Sequence, residues 1–280
     1  MKKELVQKIA FTSITILSFT IVSVVLLILG FIVVKGIGAI NIDFLTKAPE
    51  NGMMDGGIFP AILGTLLLIL GSAAIAFPVG ILSGIYMNEY AANNWFKKFI
   101  GMMTNNLAGV PSIVFGLFGL AIFVNFLGFG VSILSGCLTL GILILPVIIR
   151  TTEESLKTIE DSYRQASLAL GASKLQTTFS VVLPMAFPNI VTGLIISIGR
   201  VAGETAPIIF TCAAYYLPEI ILSFQTPVMA LPYHLYVMAT SGVDLNASRK
   251  IAFGTALVLM TMVFILNLSA GAVKKYMSKK

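Results

Sequence analysis

Long apolar runs alternate with short polar intervals along the whole chain. The pattern predicts six transmembrane helices, at about 9–34, 58–87, 99–127, 131–149, 188–214 and 251–273. Each run is close to or above the ~20 apolar residues that cross a bilayer. Runs this continuous do not suit the alternating strands of a barrel, whereas a helix satisfies its own backbone in lipid. The expected fold class is therefore all-α, a polytopic membrane protein with one transmembrane domain over residues 1–280. Pro78 is expected to kink the second span, and Asn105, Asn106 and Pro111 interrupt the third. The interval Tyr215–Lys250 contains Pro218, Pro227 and Pro232 and is too broken for a plain span. It reads as an interfacial or re-entrant helix.

The longest polar interval lies between the fourth and fifth spans, at about 150–187. Thr151 and Glu154 have capping-box spacing, so a helix is expected to start there. Leu156, Ile159, Tyr163, Ala166 and Leu170 recur at helical spacing and fall on one face. Gly171 then suits a left-handed C-cap. Ser173 and Gln176 repeat the capping-box spacing. Lys174–Leu183 reads as a second short helix, with a strand as the alternative, and Pro184 is expected to end it. Two short helices joined at a glycine form a lever between membrane spans. The simpler alternative is an amphipathic helix lying on the membrane.

The fifth span contains Gly199-Arg200-Val201-Ala202-Gly203-Glu204-Thr205-Ala206-Pro207. Arg200 is expected near the middle of that span, where a charge costs about 2.5–3.5 kcal/mol on insertion scales. Glu204 is four residues on and within pairing reach. The pair reads either as an internal salt bridge or as a cation that an anion meets on its way across. Arginine suits the second role, because its planar fork matches oxyanions and stays charged. Gly199 and Gly203 have the spacing that permits close helix packing. Pro207 is expected to loosen the helix just beyond the pair.

Composition agrees with a membrane protein: 57% of residues are hydrophobic, 11% are charged, and the mean hydropathy is +0.97. The net charge of +6 does not indicate a nucleic-acid partner, because the basic residues collect at span ends. Lys2, Lys3, Lys8, Lys97, Lys98, Arg150, Lys157, Arg164, Lys174, Lys274, Lys275, Lys279 and Lys280 all fall on one side of a six-span topology. Lys35, Lys47, Arg249 and Lys250 fall on the other. The positive-inside rule puts both termini and the 150–187 interval in the cytoplasm. The first span reads as retained, since no small-residue cleavage site follows it. Cys137 and Cys212 lie in apolar spans and read as buried hydrophobes.

The 150–187 interval resembles the EAA loop of ABC importer permeases: Glu-Ala-Ala, three residues, Gly, nine residues, then Ile-x-Leu-Pro. Here the same spacing joins Gln165-Ala166-Ser167, Gly171-Ala172 and Val181-Val182-Leu183-Pro184. Gln165 stands in place of the acid and Ser167 in place of the second alanine. Arg-x-x-Gly-Glu-Thr-Ala-Pro after such a loop resembles the phosphate importer permeases, in particular their PstA branch. The partner permeases of the PstC branch typically carry Gly-Glu-Thr-Met-Ala there. Residues 44–46, 56–66, 106–112, 230–232 and 267–268 extend the resemblance over about 40–270.

The resemblance implies a type I importer permease with a MetI-like fold in the plasma (inner) membrane of a prokaryote. It implies a PstC-like second permease, two PstB-like ATPases and a PstS-like extracytoplasmic phosphate-binding protein. It assigns Arg200, Glu204 and Thr205 to the anion path. Gln165, Ala166, Ser167, Gly171, Ala172, Leu183 and Pro184 fall in the ATPase coupling loop. No Gly-x-x-x-x-Gly-Lys-Ser/Thr loop occurs, so ATP and Mg are expected on the partner ATPases, with no cofactor and no enzymatic activity on this chain. The lone His234 reads as structural or interfacial. The alternatives are a permease for another oxyanion or nutrient, a stand-alone secondary anion transporter, and a membrane scaffold.

Overall fold

The computed structural model describes residues 2–217, 223–241 and 245–277. Helix α1 (Lys2–Gly36) presents its apolar length outward, touching the rest of the chain mainly near its C-terminal end. Gly36 lets it approach the last helix of the chain there, since a Cβ would meet the Phe253 carbonyl oxygen at 2.6 Å. The following polar interval folds into α2 (Ile42–Thr46), capped by Asn41, and a small hairpin of β1 (Pro49–Glu50) and β2 (Asp55–Gly56).

Helix α3 (Phe59–Ile85) runs through Pro78 and ends in a π turn over Tyr86–Tyr90. The single third span expected at 99–127 is two helices. Helix α4 (Trp95–Ala108) and α5 (Ser112–Gly119), which continues as a π turn to Phe126, are bent by 104° at Gly109–Pro111. The physical reason is Pro111, which has no N–H to give and pushes Val110 out of helical geometry.

Helix α6 (Ile133–Lys157) is the most enclosed of the long helices. It packs tightly on α3 because glycines open the crossing. A Cβ on Gly80 would meet Ile148 Cγ2 at 2.6 Å, and one on Gly84 would meet Thr152 Cβ at 2.6 Å. Small residues at such crossings allow the backbone approach that drives association in lipid. No helix starts at Thr151, contrary to the capping-box expectation. Helix α6 continues to Lys157, and the Thr151 hydroxyl donates back to the Val147 carbonyl at 2.9 Å. That back-bond satisfies the side chain inside the helix and removes the need for a cap.

Beyond it lie α7 (Asp161–Ala169), α8 (Lys174–Thr177), a π turn over Thr178–Val182, and α9 (Leu183–Gly203). Lys174–Gly203 is a continuous helix, so Pro184 does not end it. Pro184 stands in the first turn of α9, immediately after the wide π turn, where its ring and missing N–H are tolerated. The fifth span therefore starts well before residue 188 and stops at Gly203. The chain breaks at Glu204–Thr205 and resumes as α10 (Ala206–Thr211). Helix α11 (Leu231–Thr240) is the short helix expected within 215–250, and α12 (Leu245–Met277) takes in Arg249 and Lys250. Pro218, Lys279 and Lys280 lie outside the described residues.

Five of the described helices are long and apolar enough to cross a membrane, and α4–α5 counted as one bent span makes six. The largest core joins α3, α6, α9 and α10 through Ile69, Leu140, Leu143, Ile144, Ile148, Ala202 and Ile208. A second core holds the hairpin against α11 and α12. A third, made of Ile85, Leu156, Val182, Ala186 and Ile190, sits where α3, α6 and α9 meet the polar elbow.

Candidate functional site

Two regions collect the polar chemistry of this apolar chain. The first is the elbow. Gly171 has φ +86, and a Cβ there would touch nothing within 4 Å. The glycine is needed for its backbone conformation and not for space. Its N–H donates to the Leu168 carbonyl at 3.0 Å and that of Ala172 to Ser167 at 3.3 Å, closing α7. The second arm opens with the expected capping box: Gln176 N–H donates to Ser173 Oγ at 3.3 Å, and Ser173 N–H donates to Gln176 Oε1 at 2.8 Å. Ser167, at the position of the second alanine, clasps the arms together through Thr177 Oγ1 at 2.9 Å. Gln165, Ala166, Gly171 and Pro184 are exposed, Ala172 is half-buried, and Leu183 packs on the core beneath. The rim also exposes Tyr163, Leu168, Leu175 and, at 89%, Leu170.

Arg164 and Glu89 anchor this elbow, and sequence reasoning did not single them out. Arg164 Nη2 donates to Glu89 Oε1 at 2.8 Å and Nε to Oε2 at 3.3 Å, a bidentate pair. The same guanidinium donates to the Ile159 and Leu156 carbonyls at 2.7 and 2.9 Å, closing the end of α6. The hydrogen bond to Glu89 raises the Arg164 pKa above its ordinary value, against the opposing effect of burial. One signal was available. Glu89 is the sole acidic residue between Asp55 and Glu153, at the end of an apolar span, where a carboxylate calls for a cationic partner.

The second region is the break after α9. Arg200 lies in the last turn of α9, so it is not at the middle of one long span as expected. The helix stops because Glu204 takes extended geometry at φ −73, ψ 129, while Pro207 stands in the first turn of α10 and helps start it. Arg200 Nε is 3.5 Å from Glu204 Oε1, so the predicted pair forms, but across the break. Their side chains are 32% and 15% exposed. Thr205 is half-buried beside them. The flanks of the break are enclosed: Ala202 and Ile208 are buried, and Pro207 presses on Gly116 of α5, where a Cβ would come within 2.9 Å of Pro207 Cα. Gly199 and Gly203 do not make the expected close packing. A Cβ on Gly199 would come no nearer than 3.8 Å, to the Asn267 side chain, and nothing lies within 4 Å of one on Gly203. The chain ends α9 on an open face. A broken helix with buried flanks and a half-open charged pair can present a cation to a polar path through a membrane.

Among the remaining candidates, His234 is buried in α11, with Nδ1 at 3.1 Å from Thr255 Oγ1. Burial lowers its pKa to about 4. Cys137 and Cys212 are buried free thiols.

Residues 76–280, which include both regions, match the family described as binding-protein-dependent transport system inner membrane component. The chain belongs to that family of transport permeases. It is 32% identical over 282 residues to the probable ABC transporter permease protein YqgI of Bacillus subtilis, covering 96% of this chain and 95% of that one. It is 36% identical to the phosphate transport system permease protein PstA 1 of Mycobacterium tuberculosis, covering 78% and 71%. For PstA of Yersinia pestis the identity is 34%, covering 85% and 79%. The fold is that of ABC importer permeases. A chain of the inward-facing MetNI methionine ABC transporter superposes with TM-score 0.61 at 15% identity, covering 79% of this chain and 97% of that one. A chain of a bacterial ABC transporter for alginate import superposes with TM-score 0.60 at 14% identity, covering 81% and 80%.

Proposed function

We propose that this chain is a transmembrane permease subunit of an ATP-driven importer of inorganic phosphate. Its PstA relatives supply the substrate, and the Arg200–Glu204 pair at the broken end of α9 is the observation that carries the reading. In this account Arg200 meets the anion, Glu204 holds the guanidinium when no anion is there, and Thr205 offers a hydroxyl beside them. The open face at Gly203 receives a PstC-like second permease, so the path runs between the two chains. A PstS-like protein delivers phosphate from outside.

The elbow docks on one of two PstB-like ATPases through its exposed rim of Tyr163, Leu168, Leu170 and Leu175, with Gln165 and Ala166 beside it. ATP and Mg belong to those ATPases, and this chain binds no cofactor and catalyses no reaction. The transporter alternates between two states, and nucleotide and the loaded binding protein bias them through their different affinities for each. Both termini and the elbow lie in the cytoplasm of a prokaryotic cell, as the distribution of Lys and Arg supports.

The test is purification of the chain in mild detergent from a phosphate-starved host, with partners identified by mass. Recovery of a second permease and an ATPase supports the reading. Recovery of the chain alone, folded and pure, contradicts it and favours a stand-alone transporter.

A further inference from the structure

The elbow is covalently joined to two spans, α6 before it and α9 after it, and a third, α3, holds both of its arms through side chains. The π turn Tyr86–Tyr90 at the end of α3 holds both arms. Glu89 takes the first arm through its bidentate pair with Arg164 of α7, at 2.8 and 3.3 Å. Tyr90 takes the second: its ring lies 5.1 Å from Lys174 Nζ of α8, and its hydroxyl donates to Thr178 Oγ1 at 3.4 Å. Asn88 Nδ2 donates to Glu89 Oε1 at 2.8 Å and fixes the carboxylate. The Ser167–Thr177 clasp ties the two arms to each other. The Glu89 side chain is 8% exposed and the Arg164 side chain 17%, so the pair is shielded from solvent, unlike the exposed pairs that contribute little.

The two covalent links differ in kind. Thr158–Glu160 between α6 and α7 is a break in the helix, and α8 leads to α9 through a second π turn at Thr178–Val182. Helix α3 is in turn locked to α6 through Gly80 on Ile148 and Gly84 on Thr152. Displacement of the first arm, which a helix break separates from α6, therefore reaches the main core through α3, alongside the continuous path from α8 into α9.

We infer that Glu89 and Tyr90 are positioning residues that transmit elbow movement into α3, so that ATPase closure is converted into reorientation of the α3–α6 pair. The inference depends on the elbow docking an ATPase, as proposed above.

The experiment uses the assembled importer in proteoliposomes and reads ATP hydrolysed per phosphate imported, a ratio that lost folding alone does not change. Glu89→Gln keeps the shape of the side chain and removes its charge. It is expected to leave co-purification with the ATPase intact and to raise the ratio about tenfold, within the usual span of coupling between sites. Glu89→Asp keeps the carboxylate and is expected to recover most of the coupling. Tyr90→Leu loosens the other arm independently and is expected to raise the ratio in the same direction, which decides the matter if Glu89→Gln does not assemble. Ratios unchanged in the assembled variants, with only the yield of complex reduced, would overturn the inference and leave the joint a folding contact. A wild-type complex with no ATP-driven phosphate uptake would instead overturn the functional reading, together with the inference that depends on it.

Discussion

Arg200 and Glu204 are one helical turn apart in sequence, yet the helix ends between them. The Nε–Oε1 separation of 3.5 Å is longer than a strong charge-assisted bond. The guanidinium thus keeps donors for another acceptor. Removing it by Arg200→Ala should lower phosphate uptake by about tenfold or more while the complex still assembles, because charge-assisted contacts to an anion are among the strong ones. Arg200→Lys should fall between the two, since lysine keeps the charge and loses the planar fork. Transport of radiolabelled phosphate by cells with matched complex levels checks both. Normal uptake by Arg200→Ala removes this residue from the path.

Gly171 has φ +86 in open space. Gly171→Val should cost about 1–2 kcal/mol in that backbone conformation and displace the second arm, whereas Gly171→Asn should be nearly neutral. ATPase co-purification and stimulated hydrolysis read the difference. Equal coupling in both variants contradicts the cap.

Gly64 of α3 faces the Met229 carbonyl and the Val228 side chain, and a Cβ there would clash with both. Backbone cannot yield as a side chain can. Gly64→Ala should therefore destabilise the chain by about 2 kcal/mol, in the range of overpacked cores. A thermal melt in detergent measures it. By contrast, Gly30→Ala in the exposed α1, where nothing lies within 4 Å, should be harmless.

His234 lies outside the long apolar helices and has its pKa lowered to about 4 by burial. Its folded form stays neutral where the unfolded chain, titrating near 6.5, takes up a proton. Stability should thus be unaffected above pH 6.5 and decline as pH falls from there towards 4, by up to about 3 kcal/mol. Melting temperatures across this range check the sign. His234→Gln should flatten the decline, and an unchanged slope in that variant assigns it to other groups.

Apolar run length made the number of spans legible, and the spacing of Ser173, Gln176 and Gly171 made the elbow legible, since caps and left-handed turns are local chemistry. The Arg200–Glu204 pairing was legible for the same reason. What escaped depends on neighbours. Thr151 has the composition of a cap, but a back-bond inside α6 satisfies it. Pro184 reads as a terminator, but the π turn before it gives its ring room. Asn105, Asn106 and Pro111 marked an interruption in the third run but not its 104° bend, and Pro207 marked a loosening beyond the charged pair but not a stop at Gly203. Glu89 and Arg164 are 75 residues apart, and their pairing exists only after α3 and α7 meet.

The central claim is that this chain carries phosphate as part of an ATP-driven pair of permeases. The most direct measurement is uptake of radiolabelled phosphate into proteoliposomes that hold this chain, its co-purified permease and ATPase, and the loaded binding protein. Uptake should need ATP inside the liposome and the binding protein outside, and should fall by about tenfold or more with Arg200→Ala. Uptake by this chain alone without ATP, or ATP-driven uptake that ignores Arg200, would contradict the claim.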